Sequence, residues 1–363
     1  MLKLKLNKIT VKKLLKGINN ESHIRIMEVC GTHTMAIAKA GIKQLLPANI
    51  ELISGPGCPV CVTAQEDIER ILILAKKREV IITTFGDMLR VPGSTGSLQE
   101  MQAQGADVRI VYSPLDAVNL ARNNPEKEIV FLAVGFETTT PTVAFALEDA
   151  HKTGVDNFSI VCMHKLVIPA LKALLSDQET EIHGFLLPGH VSTIIGTIPY
   201  EFIPREYQRA CVVSGFEPGD ILESILFISR QLENADYKVE NQYKRGVKTE
   251  GNKIALEIMD KYFTPFNSLW RGMGEIKDSG LRLRPEYVQY DAIFKFGLQD
   301  TLVQLAPSGC ICGNILKGIL KPEECALFSK MCTPAFPVGP CMVSSEGACA
   351  ASYYYAGGEV IGR

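Results

Sequence analysis

Eight times between Ile24 and about Arg230 the chain repeats one local pattern: a short β-branched run, a turn of Gly, Ser, Thr or Pro, and then a segment with helical spacing. The units are Ile24 to Val29 before Cys30-Gly-Thr-His-Thr, Ile50 to Ile53 before Gly55-Pro-Gly-Cys-Pro-Val-Cys, Val80 to Thr84, Val108 to Tyr112, and Ile129 to Val134 before Gly135-Phe-Glu-Thr-Thr-Thr-Pro. Phe158 to Cys162, Gly184 to Leu187 before Pro188-Gly-His-Val-Ser, and Ala210 to Val213 before Ser214-Gly-Phe-Glu-Pro-Gly-Asp complete the set. Apolar strands alternating with helices predict parallel sheets covered on both faces. Eight units suit two doubly wound domains of about four strands each. A single eight-strand barrel ranks lower, because it needs about 250 residues.

The polar stretch at Asn123-Asn-Pro-Glu-Lys-Glu is the expected split, giving a first α/β domain at 1–122 and a second at 123–232. Beyond Gln231 the texture changes to a polar stretch and then, from Ala306, to a tail rich in Gly, Pro and Cys. A smaller irregular C-terminal domain is therefore expected at 233–363. The 38 Lys and Arg against 40 Asp and Glu form no basic stripe, which excludes nucleic acid as the main partner. No apolar run approaches the roughly 18 residues that span a bilayer, and Met1-Leu-Lys-Leu-Lys-Leu lacks the apolar core of a signal peptide. A cytoplasmic, reducing location is expected, and it makes the 11 cysteines candidates for metal or redox chemistry rather than for structural disulfides.

Six of those cysteines, Cys310, Cys312, Cys325, Cys332, Cys341 and Cys349, crowd the tail. Four thiolates satisfy a 4Fe-4S cluster or a zinc ion, so six leave a surplus pair. Paired Cys-x2-Cys knuckles are absent from the tail, which favours iron-sulfur over a zinc-stapled interaction domain. Further upstream, Cys58-Pro-Val-Cys61 precedes a helix whose start reads as a Thr63 to Glu66 capping box and whose buried stripe is Ile68, Ile71, Leu72 and Ala75. A helix N-terminus stabilises a thiolate and suits the pair to redox exchange or soft-metal binding.

Cys30 occupies the same kind of strand-to-helix junction, with Thr32 or Thr34 as the expected N-cap. Neighbouring parallel strands share a crevice at their carboxyl ends, so Cys30, Cys58 and Cys61 can converge, and with His33 they would make a soft iron site. In the fifth unit Thr140 reads as an N-cap before Pro141, leaving Glu137 free to point into a cleft as an acid or hydrogen-bonding group. His190 and His164 lie at further turns, while Cys162 and Cys211 read as core residues. The Gly-rich turns match no nucleotide-binding motif.

Taken together, Cys30-Gly-Thr-His-Thr, Gly55-Pro-Gly-Cys-Pro-Val-Cys, Gly135-Phe-Glu-Thr-Thr-Thr-Pro, Pro188-Gly-His-Val-Ser and the tail through Cys341-Met-Val-Ser-Ser-Glu-Gly-Ala-Cys349 resemble the HypD family of hydrogenase maturation factors. Met35 stands where family members often carry a second histidine. The resemblance implies a scaffold for the iron centre of [NiFe]-hydrogenases, the Fe(CN)2CO unit, assembled in complex with the chaperone HypC, with HypE as cyanide donor and the hydrogenase large subunit served indirectly. It implies that Cys30 holds the iron and that Cys58 and Cys61 are a thiol/disulfide pair or additional ligands. It further implies a 4Fe-4S cluster on Cys310, Cys325, Cys332 and Cys349, with Cys312 and Cys341 as the surplus pair and Cys310 and Cys312 able to exchange roles. Glu137, His190 and His33 would assist at the site. Any enzymatic activity would be of the thiol/disulfide oxidoreductase type, and an independent iron-sulfur oxidoreductase is the alternative reading.

Overall fold

The computed structural model describes Leu15 and residues 22–177, 181–299 and 309–355, so the N-terminal Met1 to Leu6 reading lies outside the described residues. The apolar runs form strands β1 (Ile24–Glu28), β2 (Ile50–Ser54), β3 (Val80–Thr84), β4 (Val108–Ile110), β5 (Glu128–Gly135), β6 (Phe158–His164), β7 (Gly184–Pro188), β8 (Ala210–Ser214) and β9 (Val239–Asn241). β2-β1-β7-β8-β9 make a five-stranded sheet and β4-β3-β5-β6 a four-stranded one, and every pairing in both is parallel. Register places Ile26 beside Leu52 and Gly184, and Ile82 beside Val108 and Val130. The chain is thus α/β with two doubly wound parallel sheets and an irregular, cysteine-bearing C-terminal region.

The expected split at 123 does not separate the sheets. β3 and β4 before it pair in one sheet with β5 and β6 after it, while β1 and β2 pair with β7 and β8. The four-stranded unit is inserted between two halves of the five-stranded one. The polar stretch is only a helix-to-strand turn, tied down by the Asn157 amide, which donates to the carbonyls of Ala121, Asn124 and Lys127. Turn composition reports the end of an element and carries no information about which strands pair.

The expected start of the irregular domain at 233 moves as well. β9 completes the five-stranded sheet. Helix Lys253–Tyr262 and an antiparallel hairpin, β10 (Phe263–Trp270) with β11 (Gly274–Leu283), bury Ile258, Met259, Tyr262, Phe263, Leu281 and Leu283 against the outer face of the four-stranded sheet. Irregular structure dominates only in residues 309–355, where short helices and turns alternate.

A continuous apolar core runs between the two sheets and into the tail, joining Met27, Ile53, Val80, Phe185, Trp270 and Ile315. Polar clasps fasten the tail from both sides. Arg25 on β1 donates to the Gly318 carbonyl at 2.6 Å, Arg90 beyond β3 donates to Pro334 and Val343, and Ser344 donates to Asp87 Oδ2 at 2.9 Å. The cysteine-rich segment is therefore fastened to the start of β1 in one sheet and to the turn after β3 in the other.

Candidate functional site

Cys30 lies two residues beyond β1 and Cys58 four beyond β2, and the two turns interlock. Gly31 N donates to Gly57 O at 3.0 Å, and any side chain at Gly57 would collide with the backbone of Val29 and Cys30. Cys30 itself is the N-cap of helix Gly31–Lys39, in place of the expected Thr32 or Thr34. The Thr32 hydroxyl instead donates to Glu346 Oε1 at 2.6 Å. Burial, together with the Glu346 carboxylate, pushes the Cys30 thiol up to about 11. Here the cost of desolvating a thiolate outweighs the favourable helix N-terminus.

Cys58 and Cys61 form a disulfide with Cα atoms 5.2 Å apart, on a one-turn helix Pro59–Val62 that Cys58 caps by accepting the Cys61 N–H. In this state they are bonded to each other and do not form a three-thiol metal site with Cys30. Among the described residues no three His, Cys, Asp or Glu side chains form a ligand set for a single metal ion. The expected Thr63 to Glu66 capping box is also absent. Thr63 ends the short helix, its hydroxyl donating to Pro59 O, and helix Gln65–Ala75 starts after Ala64 without a side-chain cap. The buried stripe of Ile68, Ile71, Leu72 and Ala75 forms as the spacing predicts.

His33 is buried, and its Nε2 faces the carbonyls of Gly215 at 2.9 Å and Ser214 at 3.2 Å. Two acceptors place the proton on Nε2 and leave Nδ1 unpartnered. Burial holds the imidazole down at about 4, so it is neutral near pH 7. The ring stacks on Phe216 at 4.7 Å, and exposed His190 stacks on the same Phe216 at 3.8 Å. One aromatic ring thus gathers both motif histidines. Phe216 was legible only as part of the turn after Val213, with nothing in its spacing to mark it.

Glu137 does not stand free in a cleft. It is buried, Oε1 accepts from Val167 N at 3.0 Å, and Oε2 is unpartnered. Burial raises it to about 7. Thr139, with no side-chain cap bond, precedes the helix in place of Thr140, whose hydroxyl turns back to Phe136 O. Tyr200, fully buried, accepts from the Ser192 hydroxyl at 3.2 Å, and burial pushes its phenol up, with further contributions from Glu137 and Cys30. His164 ends β6 with Nε2 unpartnered, Cys162 donates to Leu281 O at 3.0 Å, and Cys211 lies in the core.

Cys310, Cys325, Cys332 and Cys349 line one pocket in the tail with Cys341, among apolar Ile315, Leu327, Phe328 and Met342. Cys312 is not in that lining. It sits in hydrogen-bonding contact with both Cys310 and Cys341. Gly339 lets the Cys310 sulfur approach, since a Cβ there would lie 2.5 Å from Sγ. Five thiols lining one apolar pocket, with a glycine giving way to sulfur, include enough donors for the four that an iron-sulfur cluster takes. The pocket reaches the disulfide through helix Pro340–Val343, where the Pro340 carbonyl lies 4.0 Å from the Cys61 sulfur.

Fold and site together define an α/β protein whose reactive groups are thiols gathered at strand ends beneath a cysteine-rich tail. The chain belongs to the HypD family: residues 5–356 match the family described as "HypD: Hydrogenase formation hypA family". It is 48% identical over 346 residues to Hydrogenase maturation factor HypD of Rhodobacter capsulatus, covering 94% of this chain and 92% of that protein. It is likewise 48% identical over 336 residues to the HypD of Escherichia coli (strain K12), covering 92% and 90%. A HypD of Rhizobium leguminosarum bv. viciae is 47% identical over 337 residues, covering 91% and 87%. The family supports a role in hydrogenase maturation. Among the described residues no helix is long and apolar enough to cross a membrane.

Proposed function

We propose that this chain is the scaffold and redox factor on which the Fe(CN)2CO centre of [NiFe]-hydrogenases is built, in complex with a HypC chaperone and with cyanide delivered from HypE. The observation that carries the reading is the linear order of thiols: Cys30 against the Gly57 turn, the Cys58–Cys61 disulfide next, then helix Pro340–Val343 with Cys341, and Cys312 beside it.

The iron is the cargo, and Cys30 is the free strand-end thiol placed to hold it as a thiolate in company with a group from HypC. Neutral His33 and its Phe216 support keep a polar but uncharged wall nearby, and Glu137 is a buried carboxyl able to hold or release a proton near pH 7. The Cys58–Cys61 disulfide is reduced by exchange. Cys341 as thiolate attacks the Cys61 sulfur, releasing Cys58 as thiolate, and Cys312 then attacks Cys341 in the mixed disulfide and releases Cys61. Two thiols become a disulfide and one disulfide becomes two thiols, so electrons and protons balance within the chain. A 4Fe-4S cluster on Cys310, Cys325, Cys332 and Cys349 would supply single electrons to this surplus pair.

In a host lacking its own family member, the wild-type chain should restore hydrogenase activity and Cys30→Ala should not. Normal maturation by Cys30→Ala would overturn the scaffold reading. The Cys58–Cys61 disulfide also suits an independent thiol oxidoreductase, which predicts dithiol turnover by the isolated chain without HypC.

A further inference from the structure

The hairpin of β10 and β11 does more than cover the four-stranded sheet. Its tip is wedged between the two cysteine pairs. On one side Trp270 bridges to Thr63, Arg271 N donates to Val62 O at 3.0 Å, and Arg271 Nε donates to Thr63 O at 3.0 Å, all at the end of the turn that carries Cys58 and Cys61. A further guanidinium N–H of Arg271 donates to Gln65. On the other side the backbone of Gly272 lies directly on that of Gly313, so that neither residue has room for a side chain next to Cys312. Both strands of the hairpin are pinned below this tip, since the Trp270 indole donates to Ser279 at 2.8 Å.

Arg271 is half-buried at this junction, and no carboxylate among the described residues pairs with it at salt-bridge distance. Its bonds go to one carbonyl and one amide on the disulfide side. The groups that act on its charge are chiefly Cys312, Cys310 and Cys341, after burial, which draws the guanidinium below its usual range. A guanidinium keeps its charge at any working pH, so the site contains a permanent cation between two redox elements, with the Glu66 carboxylate acting on it without forming a salt bridge.

We propose that Arg271 is a positioning residue for electron transfer: its fixed charge stabilises the extra negative charge of the reduced cluster, and its hydrogen bonds to Thr63 and Gln65 hold the Cys58–Cys61 turn against the tail. This rests on the cluster reading of the tail pocket. The reduction potential of an iron-sulfur cluster is set by net charge, hydrogen bonding and exposure, and one electron added beside a desolvated cation is stabilised relative to one added beside a neutral amide.

The test uses the full chain purified without oxygen, with the cluster followed by visible absorbance and electron paramagnetic resonance during a mediated redox titration. Wild type, Arg271→Gln and Arg271→Lys are compared at matched iron and sulfide content, and a thermal melt verifies that each is folded. Arg271→Gln should shift the midpoint to more negative potential by about the tenfold change in the oxidised-to-reduced ratio that corresponds to 59 mV for one electron. Arg271→Lys, which keeps the charge and loses the fork, should stay close to wild type in potential while slowing reduction of Cys58–Cys61, read by thiol trapping and mass. A cluster whose potential is the same in Arg271→Gln overturns the proposal and leaves the cluster reading standing. Equal shifts in Gln and Lys variants overturn the role of charge. A wild-type chain without a cluster overturns the pocket reading and this proposal with it.

Discussion

The Thr32 hydroxyl and the Glu346 carboxylate meet at 2.6 Å, joining the turn that presents Cys30 to the loop ahead of Cys349 across 314 positions of sequence. Through this bond the tail closes on the strand-end site. Thr32→Val and Glu346→Gln should each lower unfolding stability by about 1.5–3 kcal/mol, as expected for a hydrogen bond to a charged group. The double variant should cost less than the sum, with a coupling of about 1 kcal/mol in denaturant unfolding. Additive losses would show that the contact does not join the two regions.

Gly57 is required for the Cys30 and Cys58 turns to interlock. Gly57→Ala places a methyl in the backbone of Val29 and Cys30 and should cost about 1–3 kcal/mol, the range for overpacking. Gly86→Ala, where no atom lies within 4 Å of the new methyl, should change stability by no more than about 0.5 kcal/mol. Equal melting temperatures for the two variants would contradict the interlock.

Glu137 titrates at about 7 in the folded chain against an ordinary value near 4.5, so the unfolded state loses its proton first as pH rises. Its contribution to stability is fully present below about pH 4.5 and is lost as pH rises to about 7. His33, held at about 4, works in the opposite sense, contributing stability above about pH 6.5 that is lost as pH falls toward 4. Glu137→Gln removes only the first effect. Relative to wild type, its unfolding free energy should therefore rise by roughly 1 kcal/mol per pH unit between pH 4.5 and 7. A pH-independent difference would show that Glu137 is ionised in the folded chain.

Phe216 stacks on buried His33 and on exposed His190. Phe216→Ala should let the His33 imidazole rise from about 4 toward its ordinary 6.5, measured by nuclear magnetic resonance titration of the ring protons. An unmoved value would assign the depression to the rest of the pocket alone.

The strands were legible because a strand buried on both faces is a continuous apolar run, and β5 from Glu128 to Gly135 is such a run. Their pairing was not. Insertion of one sheet within the other depends on long-range register, such as Met27 beside Ile53 and Phe185, which no local signal encodes. Cysteine spacing pointed to the tail pocket, and only the fold separated Cys310 in its lining from Cys312 beside Cys341. Capping was misread at Thr63 and Thr140 because each hydroxyl turns back to the carbonyl four residues earlier, an alternative that competes with N-capping. Arg271 and Phe216 carried no pattern at all. Their positions follow from a hairpin tip and a β8 turn that approach the site from distant sequence.

The most direct measurement is iron, zinc and acid-labile sulfide per chain on protein purified without oxygen, in wild type and in Cys325→Ala. The account predicts about four iron and four sulfide per chain in wild type, as for a 4Fe-4S cluster, and their loss in the variant. Zinc without sulfide, unchanged by removal of the surplus pair, would make the tail a structural staple and contradict it.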